Sequence, residues 1–302
     1  MTALTPALLA AVSVGCALAA YLLLRVAWVW RSPGPAIVLW QALGLAGGLS
    51  ALGALAAVAL TPYRAGVLPA TALLAADLAQ GRPLPLGLVR LTLLSGTALA
   101  TCWLLAAPVL TFVAAARLRH RHAGVLDLVA RAEPRLAGAL VIDHPALTAY
   151  CLPGALPTAR SRLVVSTGAL DALDSVALSG VLAHERTHAQ ERHDLVLLPF
   201  TALTRAFSRW RLAGEAYAAV ALLVEMRADD RARDHCPPEV LVRALLRFGQ
   251  AATPAGALGA DLGLLVRVAR LSRPVERPPG WLGPLVVTAS AALVALPVGL
   301  LA

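Results

Sequence analysis

Lysine is absent from this 302-residue sequence, so all 26 basic positions are arginine. Charge of either sign is scarce, at 14% of residues against 59% hydrophobic. Soluble globular domains carry about 25% charged residues, so this balance excludes an ordinary soluble protein and points to a membrane protein. The formal charge of +9 is not accompanied by an aromatic-rich basic patch, and direct nucleic-acid binding is not expected. The four cysteines, Cys16, Cys102, Cys151 and Cys236, have no paired spacing. That argues against a disulfide framework and leaves buried free thiols as the expectation. No basic segment precedes the first apolar stretch, which argues against a cleaved signal peptide.

What is present falls into two kinds of sequence. Residues 1–116 hold five Arg and one acid, Asp77, whereas residues 117–280 hold 21 Arg and 16 acids. Apolar runs of spanning length are expected at about 3–27, 36–62, 91–116 and 281–302. Arg25 and Arg31 flank Trp28 and Trp30 as an interfacial anchor, with Arg25 reaching towards headgroups. Residues 63–90 read as an outer loop of mixed character, and Asp77 as a solvated loop acid. The Arg117, Arg119 and Arg121 cluster marks the cytoplasmic side, and Arg273 and Arg277 before the last span agree with it. The expected topology is N-terminus out and C-terminus out, with residues 117–280 cytoplasmic between spans three and four.

The polar segment reads as α+β. "LAGALVIDH", "ALTAYCLPG" and "SRLVVSTGAL" predict three short strands. Asp174 is a candidate N-cap for a helix over about 175–193, and a second helix is expected over about 213–235. "LVLLPFTAL", residues 195–203, is apolar but too short to span. Pro237-Pro238 punctuates before another helix, and residues 273–280 read as a linker into the last span.

The first helix contains His184-Glu185-Arg186-Thr187-His188. Residues four apart share a helical face, so both imidazoles can converge on one ion, and zinc accepts nitrogen and carboxylate donors. Glu185, beside the first histidine, is positioned to take a proton from water activated by such a metal. A catalytic zinc site needs a third protein ligand, and Glu225 in "LLVEMRADDRA" is the candidate. Asp229, one turn later, could accept the free ring N–H of a ligand histidine. The alternative is an ordinary polar helix face.

The run from "ALTAYCLPG" through "RLVVSTGALDALDSVALSGVLAHERTHAQERHD" to "EMRADDRA" resembles the zinc core of bacterial integral-membrane metallopeptidases. It is most similar to the β-lactam sensor-transducer family of penicillinase and methicillin-resistance antirepressors. The prenyl-protein and HtpX-type membrane peptidases share the core with less similar surroundings. The resemblance implies a multi-pass α-helical protein of the bacterial inner membrane, with four transmembrane helices and an inserted α+β, zincin-like (gluzincin) cytoplasmic domain. It further implies zinc held by His184, His188 and Glu225, Glu185 as general base and Asp229 as supporting acid. The implied substrate is a cytoplasmic protein such as a DNA-binding repressor, cleaved in signal transduction or antibiotic response. The antirepressors continue into a large sensor domain, whereas this sequence stops at Ala302. Direct covalent sensing is therefore not expected, and a separate sensor partner would take its place. A quality-control protease of membrane proteins and a non-catalytic, zinc-stabilised signalling protein are the alternatives.

Other polar residues receive plainer readings. His193, five residues past His188, falls about 140° round the helix and is expected to face away from the metal, exposed. His120 and His122 are expected at headgroups, and His235 and Cys236 in a structural role. Tyr150, Tyr217, His235 and nearby arginines are unranked candidates for stabilising an oxyanion.

Overall fold

The computed structural model describes residues 4–133, 136, 138–154, 159–252, 258–273 and 278–302. The chain divides into two compact units. The first comprises residues 1–107, 205–216 and 278–302; the second comprises 108–204 and 217–277. Among the described residues, four helices are long and apolar enough to cross a membrane. The described residues are mostly helical, with one small sheet.

Helix α1, Leu4–Leu23, carries no charge over 20 residues, about 30 Å at 1.5 Å per residue and enough for a bilayer core. Just beyond it, Arg25 folds back on the preceding turn rather than only outward: its guanidinium bonds the Tyr21 hydroxyl and lies 4.4 Å from the ring centroid. After the short α2, Trp28–Arg31, Pro33 opens α3, Pro33–Ala59. Proline at a helix start loses no hydrogen bond, because the first N–H groups have no partner there. Helix α3 packs on α1 closely enough that a Cβ at Gly47 would stand 3.1 Å from the Cys16 Cβ.

The predicted outer loop is not structureless. Its "VLPATALLAADLA" folds as α4, Val67–Ala79, because a run of Ala and Leu behind Gly66 has high helix propensity. Nor is Asp77 merely solvated: the Tyr63 hydroxyl donates to it at 3.1 Å, and Arg82 lies 3.5 Å away.

Helix α5, Leu88–Val129, is 42 residues long, so the third apolar run does not end in a break at residue 116. Arg, His, Ala and Leu all suit a helix, and the change from apolar to basic alters its surroundings without interrupting its hydrogen bonds. Strands β1 (Ala130–Glu133), β2 (Ala139–Ile142), β3 (Ala149–Leu152) and β4 (Arg162–Ser166) follow. They form one sheet in the order β1-β2-β4-β3. Strands β2 and β4 run parallel, and the other two pairs are antiparallel. Strand β1, "ARAE", has a poor strand composition and was not among the three expected; pairing with β2 holds it in place.

Ser166 caps α6, Thr167–Ala172, by accepting from the Ala169 N–H at 3.1 Å. Asp174 caps α7, Ser175–Gln190, by accepting from Ala177 at 2.8 Å. Next come α8 (His193–Ala206), α9 (Arg211–Ala232), α10 (Pro238–Ala252) and α11 (Leu258–Leu271). The apolar segment 195–203 thus lies inside α8, whereas α11 had no sequence expectation. Residues 274–277 of the predicted linker, with Arg277, lie outside the described residues. The last helix, α12, is Leu282–Leu301, and α3 packs against it in the first unit.

The core of the second unit sandwiches α7. Leu182 packs with Ala139, Val165 and Ala169 on the sheet side, while Ala177 and Val181 pack with Ala244 of α10. A glycine permits the close approach on another side of α7: a Cβ on Gly180 would lie 2.2 Å from the Cys236 sulfur.

Candidate metal centre

Buried apolar side chains on α7 hold it between the sheet and α10, and its remaining face carries His184, Glu185 and His188. His184 Nε2 and His188 Nε2 stand 3.2 Å apart. Glu225, from the middle of α9, brings Oε2 to 3.4 Å from His184 Nε2 and Oε1 to 3.5 Å from His188 Nε2. One donor atom from each of the three residues lies within 4.8 Å of the others, so the trio could hold a metal ion. Donors on a tetrahedral ion with bonds of about 2.0–2.1 Å stand about 3.3–3.4 Å apart, and two imidazoles with one carboxylate form a donor set that suits zinc. The residues present therefore fit the ion that the sequence implies.

Around this trio, Asp229 Oδ1 sits 3.1 Å from His184 Nδ1, the nitrogen turned away from the trio. Asp229 is 0% exposed. Arg267 of α11 donates to both its oxygens, at 2.8 and 2.7 Å, and reaches Glu225 at 2.9 Å. Glu185 Oε2 accepts the Cys151 N–H of β3 at 3.0 Å. Strand β3 lies at one end of the sheet order, so this N–H serves Glu185 at the sheet's edge. A cavity of about 160 Å³ opens here, lined on its polar side by His184, Glu185, Glu225 and Arg267. Val181, Leu241, Leu245 and Phe248 form its apolar side.

These contacts pull the ionisable groups apart. Burial is the largest influence on each, but its sign and its rivals differ. Burial alone would lower His184, yet Asp229 and Glu225 outweigh it and raise that imidazole from 6.5 to about 9. Burial lowers His188 to about 4, leaving it neutral near pH 7. Burial raises the Glu185 carboxyl to about 7. For Glu225 and Asp229, burial is overcome by His184 and Arg267, and both carboxyls stand at about 2. A half-buried base near 7 beside one ionised carboxylate, that of Glu225, can exchange a proton at neutral pH.

The predicted residues do not all behave as expected. His193 does not face away exposed. It is 3% exposed, and its Nδ1 lies 2.9 Å from His188 Nδ1. The helical-wheel reading assumed that α7 continues to residue 193, but α7 ends at Gln190 and Arg192 takes a φ of +49°. That left-handed residue re-aims the chain, and His193 starts α8. His122 is also committed within the protein, 2.7 Å from the Tyr150 hydroxyl, and Arg119 pairs with Asp194 at 2.7 Å. His235 and Cys236 serve structure: the His235 carbonyl accepts from Ser179, and the Cys236 thiol is buried against Gly180. Among the described residues, neither Tyr150, Tyr217 nor His235 lines the cavity, whereas Arg267 does. Sequence reasoning missed Arg267. Its signal was an arginine set in the apolar run "LGLLVRVARL", where a charge needs a buried acid as partner.

Residues 115–258 match the model of peptidase family M48. The match spans just under half of the chain, including His184, His188 and Glu225, and supports a zinc metallopeptidase. Comparisons with curated proteins and with solved structures find no match.

Proposed function

We propose that this protein is a membrane-embedded zinc metalloendopeptidase, with His184, His188 and Glu225 as ligands and Glu185 as general base. The observation that carries the reading is the convergence of two Nε2 atoms and one carboxylate from separate helices, with Glu185 beside them. Three protein donors leave a position for reactants, whereas structural zinc sites are usually closed by four. Zinc bound there supplies Lewis-acid polarisation and acidifies water. Glu185 takes the proton from water at a carboxylate oxygen and passes it to the leaving amine. Asp229, clamped by Arg267, keeps His184 turned so that Nε2 faces the trio. The outer edge of β3 suits an extended substrate added as a further strand.

The site faces the cytoplasm of the bacterial inner membrane, a placement supported by exposed Arg117 and Arg121 after the third apolar run. Its substrate is a cytoplasmic protein, a DNA-binding repressor by resemblance to the β-lactam sensor-transducers. A quality-control role has its own support in the apolar wall formed by Val181, Leu241, Leu245 and Phe248, which suits apolar segments exposed by misfolding.

The purified full chain should hold about one zinc per molecule. Glu185→Gln should keep that zinc while proteolysis falls by about 10²–10⁴-fold, the usual worth of a general base. Full activity in that variant would remove Glu185 from the chemistry. In cells, loss of one repressor with the wild type but not with Glu185→Gln supports signalling. Broad clearance of misfolded membrane proteins supports quality control.

A further inference from the structure

A metal-bound histidine needs something to hold its second ring nitrogen, because that contact sets both tautomer and ring orientation. For His184 the partner is Asp229. Among the described residues, no carboxylate takes that position beside His188. Its Nδ1 instead meets Nδ1 of His193 at 2.9 Å, the two rings standing nearly perpendicular at 85°. Two ring nitrogens at that separation share one proton, so one donates and the other accepts. With Nε2 of His188 turned to the trio, the proton of its neutral ring is on Nδ1, which makes His188 the donor. His193 then carries its own proton on Nε2, which points towards Glu191 Oε2 at 3.5 Å. That distance is near enough for charge to matter but long for a well-formed hydrogen bond. Arg227 and Arg231 hold Glu191 in place, at 2.9 and 3.4 Å.

We propose that His193 is a positioning residue for the metal centre: it accepts the Nδ1–H of His188 and holds that ring in the tautomer that turns Nε2 towards the ion. The inference rests on the reading of His184, His188 and Glu225 as ligands, and it adds a second imidazole behind the first. The turn at Arg192 is part of the device, since a continued helix would carry residue 193 away from His188. Burial of His193 keeps water from competing for the contact.

The test is zinc affinity of the purified full chain, measured by competition with a chelator. His193→Phe fills the space without an acceptor and should weaken zinc binding by about 10–100-fold, as loss of outer-sphere partners does. His193→Asn puts an amide oxygen where Nδ1 stands and should bind within about threefold of wild type by the same reasoning. His193→Gln places its amide one bond further out, and it should resemble the Phe variant. The same order should appear in the visible spectrum of the cobalt(II)-loaded chain, with Asn like wild type and Phe and Gln altered. Equal affinity for wild type and Phe, or equal weakening in Asn and Gln, overturns the inference. If Phe does not fold, the contrast between Asn and Gln decides alone. A wild-type chain that binds no zinc defeats the metal reading and this inference together. A chain that binds zinc without cleaving protein defeats only the peptidase reading, and the variants still judge His193.

Discussion

The two units of this protein are stabilised by different means. In the first, α1, α3 and α12 carry no charged side chain, and contact is made through small residues. Gly53 faces Leu301 and Leu9, and Ala46 and Ala57 are fully buried. Close packing of small side chains is the usual basis of helix association in lipid, where apolar burial brings little advantage. The second unit gathers ionised groups instead, around the buried Asp229 and His184. Asp229, Glu225, His184 and Arg267 form one network in which each charge has an opposite partner within 3.4 Å. The difference shows where strain would be felt: the first unit should be sensitive to volume, and the second to charge.

Removing one member of the charged network should have the largest effect on stability. Arg267→Leu strips the guanidinium from both oxygens of buried Asp229 and leaves His184 as its remaining cationic partner, a loss of about 3 kcal/mol, to be read as a drop in the melting temperature of the metal-free chain. An unchanged melting temperature would show that the second unit does not depend on this pairing.

The second test is pH. The folded-state value of His184 is raised above 6.5 to about 9. In the metal-free protein the protonated ring therefore contributes stability that is fully present below about 6.5 and is lost as the pH rises through about 9. An ion must displace that proton, so zinc should bind about 100-fold more weakly at pH 7 than well above pH 9. Uptake near neutrality should release a proton measurable in weak buffer; pH-independent binding would disconnect His184 from the ion.

A smaller loss should follow from volume in the first unit. Gly53→Val would force its new side chain against Leu301 and Leu9, costing about 1–3 kcal/mol as overpacking does. Zinc affinity should not change, and a parallel loss of metal would show that the two units are not independent in this respect. The mildest change is Asp174→Ala, which removes the N-cap of α7 and should cost about 1 kcal/mol. It should lower the melting temperature slightly while leaving the zinc stoichiometry intact.

Much of this was legible in the sequence because it depends on neighbours along the chain. The four apolar helices follow from run length, and the α7 cap follows from an Asp before a helical pattern. Helix α4 was hidden in a segment whose prolines and glycines suggested only a loop. Strand β1 was hidden because "ARAE" becomes a strand only through its partner β2. The site was legible in proportion to its locality. His184 and His188 are one helical turn apart, while His193 lay beyond a backbone reversal that a helical wheel does not represent. Arg267 was invisible because its role depends on which acids α11 meets.

The sequence by itself determined that two imidazoles and a neighbouring carboxyl share one stretch of helix, since the α-helical period is a property of local backbone geometry. It also determined which stretches are apolar enough for a bilayer, since that depends on composition alone. Only the tertiary structure decided that Glu225 closes the trio, that Arg267 holds two acids ionised, and that His193 turns back on His188. Those contacts join segments far apart or across a sharp turn, and their distances are set by how α7, α9 and α11 pack rather than by anything written within one of them.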